Sequence, residues 1–125
     1  MAELTIRRSA AMELSETDTF GVFLREQEDG DGDGIDFMVS LRRPSEQDRR
    51  LGQDTYCVSL PNGATVYGAV RSWRLEGAVL HVQFRQDAAS NLGIDERAAF
   101  TLEVAPEEIE AVRSSLARVL GPELA

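Results

Sequence analysis

Gln53–Gln86 reads QDTYCVSLPNGATVYGAVRSWRLEGAVLHVQFRQ and contains three apolar runs separated by two turn signals, PNG and EG. Turn residues between alternating apolar runs are typical of an antiparallel meander. The first and third runs each keep one alternating phase, which places their apolar side chains on a single sheet face. The middle run, Thr65–Leu75, changes phase, so we predict a bulge or bend between Gly68 and Ser72.

Further strands flank this central stretch on both sides. Phe20–Arg25 and Ile35–Leu41 alternate with period two and predict a hairpin. Weaker alternation over Leu4–Leu14 suggests one or two edge strands, and Arg97–Val104 forms the last strand, with its apolar residues on one face. The segment Arg42–Arg50 is polar and contains a proline, so it is either a surface loop or one turn of helix.

Two helices are expected in the second half of the chain. Pro106–Leu120 has a proline suited to the first helical position and apolar residues at three- and four-residue spacing. A shorter helix begins with Asp87 as its cap and closes at Gly93. The segregation of strands before the long helix predicts an α+β fold, in which one antiparallel, twisted sheet of about six strands carries this helix on one face. We expect residues 1–125 to form a single domain.

The composition limits the classes of function. The chain has 125 residues, 42% of them hydrophobic and 28% charged, which is an ordinary globular balance. Its net charge of −9 opposes binding to nucleic acid and to anionic lipid and favours basic partners. No apolar run approaches the ~20 residues of a membrane span, and the N-terminus lacks the apolar centre of a signal peptide. With Cys57 as its single cysteine, the protein is expected to be cytoplasmic.

Three short motifs carry a resemblance to a known family: DTYC at Asp54–Cys57, TVYG at Thr65–Gly68, and the segment Asp87–Ile94, which begins DAA and ends LGI. The sequence from about Phe20 to Leu120 resembles the immunity protein 10 family of bacterial polymorphic-toxin systems. This resemblance implies a protein that binds a cognate toxin domain in the producing cell and neutralises it by occluding its active site. The matching residues have a structural character and do not locate the toxin-binding face.

The segment Glu26–Asp36, which connects the two hairpin strands and extends into the second, concentrates negative charge. It contributes −6 of the net −9 and contains no basic residue. Its carboxylates are Glu26, Glu28, Asp29, Asp31, Asp33 and Asp36. We predict that these residues bind a basic partner, such as a nuclease toxin domain, by electrostatic steering. The alternative is an acidic loop that only keeps the hairpin soluble, because charged runs are usually solvated.

The same segment partly matches a calcium loop. The three aspartates and the glycine of Asp29–Gly34 occupy positions one, three, five and six of the twelve-residue pattern. Position twelve, which requires a bidentate glutamate, is Ser40, and the flanking residues alternate as strands. We therefore predict no metal site, with a calcium-responsive domain as an alternative.

No catalytic or cofactor-binding residues are predicted. His81 is the only histidine and lies on the polar phase of its strand, and Cys57 has no activating neighbour in the sequence. Tyr67 and Trp73 are either partner anchors or core residues, depending on the phase change between them. The second functional hypothesis is a homo-oligomeric regulatory or small-ligand-binding module without catalytic activity.

Overall fold

The secondary structure confirms the predicted α+β class. The structure, a computed structural model, describes residues 3–123. Within this range the chain forms nine strands and three helices. The strands are β1 (Glu3–Ile6), β2 (Arg8–Leu14), β3 (Thr19–Arg25), β4 (Gly34–Ser40), β5 (Cys57–Ser59), β6 (Thr65–Tyr67), β7 (Val70–Glu76), β8 (Val79–Phe84) and β9 (Arg97–Leu102). The helices are α1 (Glu46–Arg50), α2 (Gln86–Leu92) and α3 (Pro106–Leu120).

The strands form two sheets instead of the single sheet of about six strands that the sequence predicted. One sheet has four strands in the order β1-β9-β8-β7, and the other has five in the order β2-β3-β4-β5-β6. The strand β1 pairs in parallel with β9, whereas the other pairs are antiparallel. The two predicted edge strands at the N-terminus are confirmed, but they lie at the edges of different sheets.

The chain passes between the two sheets in the middle of the predicted meander. Tyr67 ends β6 in the five-stranded sheet, and Val70 begins β7 in the four-stranded sheet. Gly68 takes a φ of 61°, which a side chain would disfavour, and the β7–β8 register shifts between Val70 and Ser72. The predicted irregularity is therefore confirmed, but it separates two sheets, so the three runs do not form one meander.

A half-buried tyrosine hydroxyl holds this crossover in place. The hydroxyl of Tyr56 accepts a hydrogen bond from the Val70 amide at 2.9 Å and donates one to the Val70 carbonyl at 3.1 Å. The amide of Gly68 donates to the carbonyl of Tyr56 at 2.9 Å. Two residues that carry the family resemblance, Tyr56 and Gly68, thus fix the geometry of the crossover.

The predicted β3–β4 hairpin is confirmed and supplies much of the core. One face of the five-stranded sheet carries side chains that are 0% exposed: Val22, Leu24, Ile35, Phe37 and Val58. They join the buried side chains of the four-stranded sheet, α2 and α3 in one continuous hydrophobic cluster. The opposite face of this sheet points away from the core, because side chains alternate along each strand.

The three helices match those that the sequence predicted or allowed, except at the N-cap of α2. The helix α3 has the predicted bounds, buries Val112, Leu116 and Val119, and packs on β2, β3 and β4. Gly93 closes α2 with a φ of 72°, as expected, but the predicted cap Asp87 lies inside the first turn. The N-cap position is Arg85, whose side chain makes no capping hydrogen bond. Within residues 3–123, no helix combines the length and apolar character needed to cross a membrane.

The residues after α3 close the free edge of β7. A carboxylate oxygen of Glu123 accepts a hydrogen bond from the Leu75 amide at 2.8 Å, and Arg113 donates to the Leu75 carbonyl at 3.1 Å. Glu123 and Arg113 also pair with each other, and the Trp73 indole donates to the Gly121 carbonyl at 3.1 Å. These side chains satisfy backbone groups that an edge strand would otherwise offer to another chain.

Candidate protein-binding surface

The acidic loop between β3 and β4 is shaped by its own backbone. The amide of Glu26 donates to the carbonyl of Asp33 at 2.8 Å, and the amide of Gly30 donates to the carbonyl of Gln27 at 3.0 Å. A carboxylate oxygen of Asp29 accepts a hydrogen bond from the Asp31 amide at 2.9 Å. Because the loop is ordered by these short-range bonds, most of its carboxylates are presented to solvent in a defined arrangement.

Five of the six predicted partner-binding carboxylates lie together on this loop. Glu28, Asp29, Asp31 and Asp33 are exposed, and Glu26 is half-buried. Asp36 is different, because it lies in β4 and is buried. Both of its oxygens accept hydrogen bonds from Arg25, one of them from Nη2 at 3.1 Å. This bidentate ion pair neutralises Asp36 and removes it from the exposed group.

Two arginines at the base of the acidic loop weaken its field. Arg8 Nη1 donates to the Glu28 carbonyl at 3.1 Å, and Arg7 Nη1 lies 3.5 Å from the Glu26 carbonyl. The segment itself contains no basic residue, but the β2–β3 register places Arg8 opposite Arg25 at the start of the loop. Both arginines bind backbone carbonyls and not carboxylates. Within the described residues, the carboxylates of the loop form no salt bridge.

The calcium alternative lacks the expected structural context. The strands β3 and β4 enclose the loop, whereas the twelve-residue calcium loop lies between two helices. Across the part of the chain that the structure describes, no three Asp, Glu, His or Cys side chains lie close enough together to hold a metal ion.

The outer face of the five-stranded sheet carries a row of apolar side chains that the sequence analysis did not identify. The strand register aligns one residue from each strand: Met12, Gly21, Met38, Cys57 and Tyr67. Met12 is 45% exposed and Tyr67 is 37% exposed, although both are large apolar or aromatic residues. The alternating outward phases were visible in the sequence, but their alignment depends on a register across five strands.

The centre of this outer face is flattened by Phe23. A Cβ built on Gly21 would lie only 2.5 Å from Phe23 Cζ and 3.1 Å from Met38 Cγ. The Phe23 ring therefore occupies the space above Gly21 and closes the gap between Met12 and Met38. The result is a continuous apolar surface across the first three strands of the sheet.

The Cys57 thiol and the Tyr67 phenol on this face are neutral near pH 7, because the pKa of each lies above its ordinary value. Burial raises the pKa of the Cys57 thiol, and the nearby charge of Asp36 raises it further, although Ser59 opposes this with a hydrogen bond. Burial also raises the pKa of Tyr67, with smaller contributions from Cys57 and Asp48. A protonated thiol is a poor nucleophile, so Cys57 acts here as a small apolar side chain.

Tyr67 and Trp73, for which the sequence allowed either a core or an interface position, lie in different environments. Trp73 is 3% exposed and belongs to the core, whereas Tyr67 lies on the outer face of the five-stranded sheet. The crossover between β6 and β7 separates them and puts each in a different sheet.

The outer face of the four-stranded sheet has another character. A broad open cavity of about 730 Å³ lies there and is lined in part by Arg74, His81, Gln83 and Arg97. His81 faces this cavity, in agreement with its position on the polar phase of β8. Glu3 also lines this cavity and Arg74 pairs with Glu76, so the face carries charges of both signs, in contrast to the apolar row and the acidic loop.

Comparison with known proteins assigns the chain to a family. The family described as Immunity protein 10 matches residues 5–110, which include the acidic loop and both outer sheet faces. No curated protein and no solved structure matches the chain. The matched range covers most of the 125 residues. The resemblance noted in the sequence is thereby confirmed, and the protein belongs to the immunity protein 10 family.

Proposed function

We propose that this protein binds a cognate toxin domain in the cytosol of the producing bacterium and neutralises it by occluding its active site. Membership of the immunity protein 10 family supports this class of function. In this proposal the protein acts by stoichiometric binding and not by catalysis. The toxin is a basic domain, and a nuclease with a positively charged substrate groove is the form that suits the acidic protein best.

The observation that carries the mode of binding is the exposed acidic loop. Glu28, Asp29, Asp31 and Asp33 project from one hairpin of a protein whose net charge is −9. Clustered charge of one sign steers an oppositely charged partner and increases the association rate, most strongly at low salt. A toxin with a basic groove would therefore be captured by this loop first.

Binding and neutralisation of the purified cognate toxin domain provide the test. We expect wild-type protein to form a stable complex with it and to restore growth of cells that express it. A variant with Asp29→Asn, Asp31→Asn and Asp33→Asn should associate roughly 10-fold more slowly at low salt, with a weaker dependence of the rate on salt. Asparagine at position 29 keeps the side-chain oxygen that accepts the loop hydrogen bond from residue 31.

A matched control separates the loop from net charge. Asp95→Asn, Glu96→Gln and Glu107→Gln remove three exposed carboxylates elsewhere, and none of them forms a salt bridge within the described residues. The control variant should associate nearly as fast as the wild type. Equal association rates for the two triple variants would contradict a role for the loop, and failure of the wild type to bind or neutralise the toxin would contradict the proposed function itself.

The homo-oligomeric or small-ligand-binding module is the second candidate. The cavity of about 730 Å³ on the four-stranded sheet is the observation that favours it. Its arginine and histidine side chains suit an organic anion. Thermal stabilisation by a panel of small carboxylates, abolished by Arg97→Ala, would support this candidate over toxin binding.

A further inference from the structure

The outer face of the five-stranded sheet and the acidic loop form one continuous surface. The hairpin strands β3 and β4 run from the apolar row, past the Arg25–Asp36 pair, directly into the loop. Gly21 lies in the apolar row and Arg25 is four residues further along the same strand, a distance of roughly 13 Å at the rise of a β-strand. A single partner can therefore contact both features.

We infer that this composite surface is the toxin-docking site, and that it takes a basic protein surface with an apolar centre. The inference rests on the proposed function and adds to it the face that is used and the chemistry of the partner. The apolar row supplies the centre of the contact, and the loop carboxylates supply one charged margin.

The side chains of the outer face have the composition of an interface centre. Methionine and aromatic residues are enriched there, and charged residues are depleted. Met12 and Met38 have flexible side chains that adapt to a partner, while Tyr67 and Phe23 offer rigid contact area. The Arg25–Asp36 pair lies between the row and the loop, and since its charges cancel, it interrupts the surface without repelling a partner of either sign.

The size of the face indicates why the loop is needed. Five strands and seven residues give a patch of at most roughly 19 Å by 20 Å. A stable protein interface buries about 800 Å² on each partner, which is more than this patch offers when taken as a flat rectangle. The neighbouring loop extends the contact in the required direction.

Charge complementarity selects this sheet over the other one. Asp48 lines the same cavity as Met38, Cys57 and Tyr67, so one carboxylate lies near the β6 side of the face in addition to those at the loop end. The outer face of the four-stranded sheet instead carries charges of both signs, with Arg97 and Glu3 lining its cavity and Arg74 paired with Glu76. A basic toxin surface would therefore be attracted more strongly to the five-stranded sheet with its acidic loop.

Thiol protection by the purified toxin domain tests which face is covered. In a Cys57→Ser background, Met12→Cys reports on the apolar row and Thr101→Cys on the outer face of the other sheet. Both positions are exposed, so they react with iodoacetamide without unfolding of the protein. With toxin at about 10 times its Kd, we expect the labelling rate of Met12→Cys to fall about 10-fold, whereas that of Thr101→Cys stays within a factor of two.

Affinity measurements on charge variants provide an independent readout. Tyr67→Lys places a cation against a basic partner and should weaken toxin binding at least about 10-fold, while Thr101→Lys should leave the affinity nearly unchanged. Both positions are exposed strand residues, and urea unfolding of each variant checks that the fold is retained.

Each other outcome overturns the inference in a distinguishable way. If toxin binds but protects Thr101→Cys and not Met12→Cys, the four-stranded sheet is the docking face. If toxin binds and both cysteines react at the free rate, the loop acts without either sheet. If Met12→Cys becomes protected in the absence of toxin as the protein concentration rises, the face joins two copies of this chain. If wild-type protein neither binds nor neutralises the toxin, the proposed function fails together with the inference.

Discussion

Removal of one hydroxyl group at the crossover between the sheets should destabilise the whole protein. Tyr56→Phe deletes the oxygen that bonds both backbone groups of Val70, at 2.9 and 3.1 Å. These groups open β7 and are partly shielded from water. An unpaired, desolvated polar group costs about 1–3 kcal/mol, so we expect the free energy of unfolding to fall by about 2 kcal/mol. For a chain of this size, that corresponds to a decrease in Tm of roughly 8 °C.

The assay is equilibrium unfolding in urea, with Tyr67→Phe as the matched control. Within the described residues the hydroxyl of Tyr67 has no hydrogen-bond partner, and the residue is 37% exposed. Its substitution should therefore change the free energy of unfolding by less than about 0.5 kcal/mol. If Tyr56→Phe were as stable as Tyr67→Phe, the hydroxyl would not hold the crossover in place.

The same residue predicts a loss of stability at alkaline pH. Burial raises the pKa of Tyr56 above its unfolded value, despite the opposing backbone hydrogen bond and the charge of Arg85. Above about pH 10 the unfolded chain loses this proton while the folded protein keeps it, so the free energy of unfolding falls as pH rises. This contribution is fully present below the unfolded pKa, and it should be missing in Tyr56→Phe.

Two further substitutions test other parts of the fold. The hydrogen bond from the Leu75 amide, and to a smaller extent that from Arg113, lowers the pKa of Glu123 in the folded protein. The contribution of the Glu123 carboxylate to stability is therefore present above its unfolded pKa and is lost as pH falls through the lower folded value. Glu123→Gln should reduce the decrease in stability between pH 5 and pH 3 in urea unfolding, and an unchanged acid profile would argue against the β7 edge contact. A Cβ at Gly34 would collide with the Leu24 carbonyl oxygen, so Gly34→Ala should cost about 3 kcal/mol by the same assay, and a variant of wild-type stability would show that the β3–β4 hairpin tolerates displacement.

The elements predicted correctly are those whose apolar spacing is contained in one continuous segment of the chain. The bounds of α3 were predicted correctly because Pro106 and the three- and four-residue spacing of apolar side chains are properties of a continuous segment. The β3–β4 hairpin followed in the same way from two alternating runs and a glycine-rich connection. The Asp87 cap was wrong because the backbone already takes the extended capping conformation two residues earlier, at Arg85.

The sequence predicted the acidic loop of the candidate site but not its apolar row. The acidic segment stood out by composition, and five of its six carboxylates lie on one exposed loop. The neutralisation of Asp36 by Arg25 and the approach of Arg7 and Arg8 to the loop were not predicted, because they depend on strand pairing. The apolar row from Met12 to Tyr67 was missed for the same reason.

The sequence by itself determined the α+β class, the family, the long helix and the negative charge of the hairpin loop, since each is encoded in contiguous residues. Only the tertiary structure decided that the strands divide into two sheets, with crossovers after Ile6 and after Tyr67. Strand partners are chosen by hydrogen bonds and packing between distant segments, and a shift of one residue moves every side chain to the opposite face. The surface that results from this pairing is therefore a property of the fold and cannot be read from any single strand.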